Sequence, residues 1–373
     1  MSTEHPGDTL SKPKRPHAAP YPTFKPYFDL LTATALGDSL GLPYENMRGQ
    51  RVRAITKGKI SQRFFFGVKG MVSDDTEHAL ITARSLLQAG NDPKAFERQL
   101  SKRLKYWLSA FPPAVGLATL KSIMLMWFKA PSKCGRPSAG NGPLMRAPII
   151  GLYHAENESL RDSFVKTSTQ MTHSDPRATF MASGVADIVA ASLEGRLDWP
   201  AMSDLFRKAA GRHAGEDDEA YLKELYGMLD ALDTCYTKRE GCSAGLAAIG
   251  CIEGIDGYVY RSALGSTYIA SHSSSVYDAI SRAVLHGGDT DSTAALAGAI
   301  AAAGSSEDLS GQVGSICDWP ISLDLIQEHA DELGFRQPCD LDEPAYLNQL
   351  LRNVLFFLLD VGHILRRLLP PYR

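Results

Sequence analysis

Two short acidic strings, Ser73-Asp74-Asp75-Thr76 and Asp289-Thr290-Asp291-Ser292, constrain this chain more than any other feature. Each stands just before a stretch that reads as a helix. Each sets carboxylates beside hydroxyls, the oxygen-only donor set preferred by hard divalent cations such as Mg²⁺ or Mn²⁺. A fold that brings them together converges four carboxylates on one spot, and cationic charge is needed to hold them there. Capping alone is the simpler explanation, since acids are stabilised at a helix N-terminus by about 0.3–1 kcal/mol each. A cap needs one such residue, however, and two adjacent carboxylates flanked by hydroxyls exceed that need.

The second string continues His286-Gly287-Gly288 into Asp289, and those glycines allow close backbone approach or positive φ. It is not an EF-hand, because Ala294 and Ile300 stand where that loop needs glycine and glutamate. Asp289 to Thr293 also spells the DxDxT of haloacid-dehalogenase phosphatases. That motif ends the first strand of a parallel α/β sheet, and no βαβ alternation follows here.

With 373 residues, 44% of them hydrophobic and 22% charged, the chain has the composition of a globular protein with a sizeable core. A formal net charge of −3 offers no nucleic-acid or membrane surface. No apolar run reaches the roughly 20 residues of a membrane span, and no signal-peptide h-region is visible. Six scattered cysteines without CxxC spacing read as reduced thiols, so a cytoplasmic setting is expected.

Residues 1–26 stand apart. Six prolines and the basic residues Lys12, Lys14, Arg15 and Lys25 predict an extended, mobile arm, read either as a disordered tail of no consequence or as an arm that orders on a partner. From residue 27 to 373 the pattern predicts one all-α domain with Gly-rich loops. An opening helix from Phe28 is expected to break at Gly37-Asp38. Further helices are expected over Glu77–Leu87, stopped by Gly90, over Ala178–Leu193 after Pro176, and over the small-residue stretch Ala294–Ala303. The run Ile149–Tyr153 is ambiguous between helix and strand.

Three more segments carry chemistry. Ser138-Ala139-Gly140-Asn141-Gly142-Pro143-Leu144-Met145-Arg146 lacks the Walker ending, but its glycines would let backbone N–H groups cradle a phosphate if it opens a helix. His173 stands at another predicted helix start, where a capping or core role is the plainer reading. Glu45 ends Gly37-Asp38-Ser39-Leu40-Gly41-Leu42-Pro43-Tyr44-Glu45 and is an acid/base candidate if the fold delivers it to the acidic clusters.

In this order, the five segments GDSLGLPYE (37–45), SDDT (73–76), SAGNGPLMR (138–146), THSDPRA (172–178) and GGDTDSTAALAGAI (287–300) resemble the ADP-ribosylglycohydrolase family. That group contains dinitrogenase-reductase-activating glycohydrolase and the ADP-ribosylarginine hydrolases. The resemblance implies an all-α fold around a binuclear centre of two Mg²⁺ or Mn²⁺ ions. Its ligands would be Ser73, Asp74 and Asp75 from one side and Asp289, Asp291 and Ser292 from the other. Ser73 and Ser292 replace the threonine of many relatives and keep the hydroxyl. Glu45 matches the acid near the ribose. Ser138, Gly140, Asn141 and Gly142 match the diphosphate loop, and His173 matches a residue near ADP-ribose. Ala139 departs from the bulkier residue of some relatives.

The implied activity is removal of ADP-ribose from modified proteins, with arginine linkage expected and either Glu45 or Asp75 handling the proton. Two roles follow from the resemblance. One is an ADP-ribosylarginine hydrolase, serving also as immunity against an ADP-ribosyltransferase toxin. The other is a binding-only immunity protein whose arm, residues 1–26, occludes a cognate toxin.

Overall fold

Helix boundaries follow capping chemistry. Ser73, Asp92, Asn157, Asp175, Asp198 and Ser275 each accept a backbone N–H in the first turn of the helix that follows. Pro93, Pro176 and Pro200 sit in first turns, where no N–H partner is lost. A computed structural model describes residues 24–63, 69–314, 316, 319–336 and 344–368. In chain order its helices are α1 (Lys25–Gly41), α2 (Gly49–Thr56), α3 (Asp74–Ala89), α4 (Pro93–Ser109), α5 (Leu117–Leu125) and α6 (Ala147–Tyr153). They continue with α7 (Glu158–Gln170), α8 (Pro176–Ala191), α9 (Trp199–His213), α10 (Glu219–Thr237), α11 (Cys242–Ala248) and α12 (Val259–Ser271). The last are α13 (Val276–His286), α14 (Thr290–Ala303), α15 (Ser310–Val313), α16 (Leu323–Phe335) and α17 (Tyr346–Leu368). Among the described residues the only sheet is a two-residue antiparallel ribbon, β1 (Met47–Arg48) on β2 (Gly287–Gly288). The fold is all-α, as expected.

Helix α14 is the axis of the core. It packs on α1, α12 and α13, and α8 joins this centre through α12 and α6. The small residues expected in a crowded core are there, with Ala294, Ala297 and Ala299 buried. Helices α1 and α14 run antiparallel at backbone contact. A Cβ on Gly41 would lie 2.3 Å from the Thr290 carbonyl oxygen, and one on Gly37 2.3 Å from that of Ala294. The expected break at Gly37-Asp38 therefore does not occur, and α1 runs on to Gly41. These glycines serve close packing rather than termination, and the hydroxyl of Thr290 donates to the Gly41 carbonyl at the end of α1 (2.8 Å).

Other expectations meet local corrections. Lys25 and Pro26, expected in the arm, open α1, while residues 1–23 lie outside the described residues. The ambiguous run 149–153 is helical, within α6. Cys134, Cys235, Cys242 and Cys251 are free thiols, in keeping with the spacing. No helix among the described residues is long and apolar enough to cross a membrane.

Candidate active site

The close α1–α14 contact sets the end of α1 beside the start of α14, and α3 begins at the same place. Asp38, on the last turn of α1, points its carboxylate at the first turn of α3. It accepts the N–H of Ser73 (2.9 Å), the N–H of Thr76 (3.1 Å) and the hydroxyl of Thr76 (2.5 Å). One helix thus caps another, and the junction orients Asp74 and Asp75. Ser292, in the first turn of α14, donates to Asp75 Oδ2 (3.0 Å) and ties the two clusters together.

Asp38, Asp75 and Asp291 each offer a carboxylate oxygen, and these oxygens lie within 4.8 Å of one another. Asp38 is fully buried, and Asp75 and Asp291 nearly so. Burial raises the carboxyl of Asp38 to about 6. Burial, and then the neighbouring carboxylates, raise Asp74, Asp75 and Asp291 well above the ordinary range. Asp291 Oδ1 is buried without a hydrogen-bond partner. A buried acceptor in that state is unfavourable by about 1–3 kcal/mol unless something positive meets it. The donor set is oxygen only and acidic, with an unmet oxygen inside it, and this fits a hard divalent cation.

In front of the trio opens a cleft of about 490 Å³, within the range of small-molecule sites. Its wall includes Glu45, Ser73, Asp74, Asn141, Asp289, Asp291 and Ser292, so most of the expected site residues meet there. Glu45 is brought in by the β1–β2 ribbon, where the Asn46 N–H donates to the Gly288 carbonyl (2.7 Å). Gly287 and Gly288 have φ of 86° and 92°, as left-handed backbone was expected to require. Their close approach is to the backbone of Met47 and Ile255, which line the cleft together with Gly288.

The loop 138–142 contributes Asn141, whose amide donates to Asp289 Oδ2 (2.7 Å) and to Ser262 Oγ (3.2 Å). Two of its backbone donors are already engaged. Gly140 N–H donates to Ser138 Oγ (3.3 Å) and Asn141 N–H to the Gly257 carbonyl (3.0 Å). Gly140 and Gly142 face the His173 ring, where an added Cβ would come within 3.3 Å and 3.0 Å of it. His173 is buried, and burial with nearby Arg146 lowers it to about 3, so the ring is neutral at ordinary pH.

Two residues at this site were not singled out from the sequence. Asp38 lay within a quoted string but was read as part of a break; an acid between two glycines of one helix face is the signal that was available. Arg146 is fully buried. It donates to Ser168 Oγ (2.8 Å), to the Ser168 carbonyl (3.1 Å), to Thr172 Oγ1 (2.9 Å) and to the Gly142 carbonyl (3.4 Å), and it faces His78 Nδ1 (3.0 Å). This one guanidinium binds the glycine loop, α3 and the His173 turn into a unit.

A family model described as ADP-ribosylglycohydrolase matches residues 24–307, most of the chain and all five motifs. The chain belongs to the ADP-ribosylglycohydrolase family. An uncharacterised protein of Archaeoglobus fulgidus is 26% identical over 218 residues, covering 53% of this chain and 70% of that one. The ADP-ribosyl-[dinitrogen reductase] glycohydrolase of Rhodospirillum rubrum is 27% identical over 155 residues, covering 38% of this chain and 52% of that protein. The chain thus aligns with about half the length of the latter. A solved structure named ADP-ribosylglycohydrolase-related protein complex superposes with a TM-score of 0.56 over 85% of this chain and 98% of that one, at 22% identity, a likeness of fold. Membership makes this chain an ADP-ribosylglycohydrolase-type hydrolase from a generally metal-dependent family, with a buried acidic trio of its own.

Proposed function

We propose that this chain hydrolyses the N-glycosidic bond of ADP-ribosylarginine on modified proteins, using two Mg²⁺ or Mn²⁺ ions. The observation that carries the reading is the unmet Asp291 Oδ1 inside a carboxylate cluster that opens onto a cleft. A diphosphate-bearing ligand would be repelled by such a cleft without cations between them.

Ser73, Asp74, Asp75, Asp289, Asp291 and Ser292 would hold the metals. Bound there, divalent ions would neutralise charge, hold ribose hydroxyls and lower the pKa of a water. Within this reading, Asp38 accepts the α3 cap bonds and so positions Asp74 and Asp75, while its carboxylate stays within the acidic trio. Asn141 orients Asp289, and Ser292 orients Asp75. Cleavage breaks the bond between the ribose anomeric carbon and the guanidine nitrogen through an oxocarbenium-like ribose. Water oxygen bonds to that carbon, and the leaving nitrogen gains a proton. Glu45, half-buried on the cleft wall, is favoured over the more deeply buried Asp75 for moving the proton, a contribution of about 10²–10⁴-fold. His173 and the loop Ser138, Gly140, Asn141, Gly142 would shape the diphosphate side.

The test is release of ADP-ribose from ADP-ribosylarginine with Mg²⁺, with Mn²⁺ and with EDTA, alongside Asp75→Asn. Metal-dependent release that the variant loses is expected; no release with either metal would favour the binding-only alternative. A role in immunity draws on residues 1–23, a proline-rich basic stretch outside the family match. In that reading the segment engages a cognate ADP-ribosyltransferase toxin in the cytoplasm while the hydrolase removes marks already made.

A further inference from the structure

Helix α17 lies beyond the residues matched to the family and is apolar on the side turned away from the body. Its inner side is tied down. Arg352 pairs with Glu77 (3.4 Å), Asn353 donates to the Ala110 carbonyl (2.8 Å), and His363 Nε2 lies 2.8 Å from the Pro43 carbonyl. Phe356 is buried with Leu42 and Met71.

The outer side carries Leu347, Leu351, Val354, Leu358, Val361 and Leu365. Their spacing alternates four and three residues over three heptads, with leucine at every first position and Leu, Val, Val at every fourth. That 3.5-residue repeat is the signature of one helix packing along another. Each of the six is 37–63% exposed. The flanking positions hold Leu355, Phe357 and Ile364, also exposed.

We propose that this face is the seam of a homodimer, in which α17 of one chain packs knobs-into-holes against α17 of a second copy. Three observations favour a second copy. The seam carries no charge, so it is complementary to itself under a two-fold axis. The nine exposed side chains present on the order of 800 Å² of surface, about what each partner of a standard-size interface buries. The flanking positions carry no lysine or arginine, whereas a helix lying on a lipid surface is rimmed by them. Residues 1–23 are an unsuitable cover, having only Met1, Leu10 and Tyr21 as large apolar side chains. The same helix lines the cleft with Phe356 and Asp360, so the dimer would form along one cleft wall.

The experiment is light scattering and sedimentation velocity on the full chain over a dilution series, beside the Leu351→Glu/Leu358→Glu variant. The wild type is expected at twice the 40.6 kDa chain mass. The variant should dissociate about a hundredfold or more readily, with unchanged circular dichroism because both positions are exposed on the single chain, and with a Tm that no longer rises with protein concentration as that of the wild type does. A Leu351→Met/Leu358→Met variant should remain dimeric. Each of these results overturns the proposal: a monomeric wild type that floats with phosphatidylglycerol-containing vesicles, a chain that dimerises only after residues 1–23 are removed, or a dimer that survives the double glutamate substitution. A wild type that is monomeric at every concentration does so as well.

Discussion

Replacing Gly37 by alanine tests the packing that assembles the site, because structure and propensity give opposite signs. In a helix interior Gly→Ala stabilises by about 0.8–1.0 kcal/mol where nothing opposes it. At position 37 the new Cβ would lie 2.3 Å from the Ala294 carbonyl oxygen and 2.5 Å from its carbon. Ordinary contact needs roughly 3.5 Å, so α1 and α14 must part by about 1 Å. The obstacle is backbone, so no side-chain rotation relieves it. Overpacking a close-packed core costs about 1–3 kcal/mol and sometimes more. The propensity gain recovers only part of that, and net destabilisation is expected.

The matched control is Gly227→Ala in α10, where an added Cβ meets nothing within 4 Å and the propensity gain should appear alone. Urea unfolding of both variants gives the signs directly. Because the same separation moves Asp38 and its α3 cap away from Asp291, Gly37→Ala should also weaken Mn²⁺ binding while Gly227→Ala leaves it intact. If Gly37→Ala is stabilised like the control, the account of how α1 and α14 build the site is wrong.

Two further predictions concern acid stability and the N-terminal segment. Burial, helped by nearby arginines, lowers His154 to about 4 and His173 and His329 to about 3. Unfolded, each binds its proton near 6.5, so between those values the unfolded state holds more protons and stability rises with pH. Below about pH 6.5 each should contribute a loss approaching 1.4 kcal/mol per pH unit, and NMR of the ring nitrogens should find all three neutral at pH 5.5; protonation near 6.5 would refute this. Deleting residues 1–23 should leave hydrolysis unchanged and weaken binding to a cognate toxin, and unchanged toxin affinity by calorimetry would remove the proposed role of the segment.

Much of the fold was legible because its signals are local. Ser73, Asp175 and Pro176 mark helix starts by chemistry confined to one turn, and the apolar rhythm from Ala79 to Leu87 needs no knowledge of the rest of the chain. Gly37 was misread for the same reason: alone, a glycine before an aspartate is a break, and only the presence of α14 turns it into a contact. Asp38 went with it, since its importance lies in bonds to Ser73 and Thr76, more than thirty residues away. The two acidic strings were legible as a possible centre because four carboxylates exceed what capping requires. Arg146 was not, because a buried guanidinium meeting α3, the glycine loop and the His173 turn is a property of three-dimensional assembly. The α17 residues that reach the cleft, Phe356 and Asp360, carry no sequence sign of that placement.

In the proposed reading the two acidic strings, set at the starts of α3 and α14, form one metal centre. Isothermal titration of Mn²⁺ into chelator-treated protein tests it most directly. Two ions per chain are expected, with at least one lost in Asp291→Asn. An absence of binding, or binding that Asp291→Asn leaves unchanged, would contradict it.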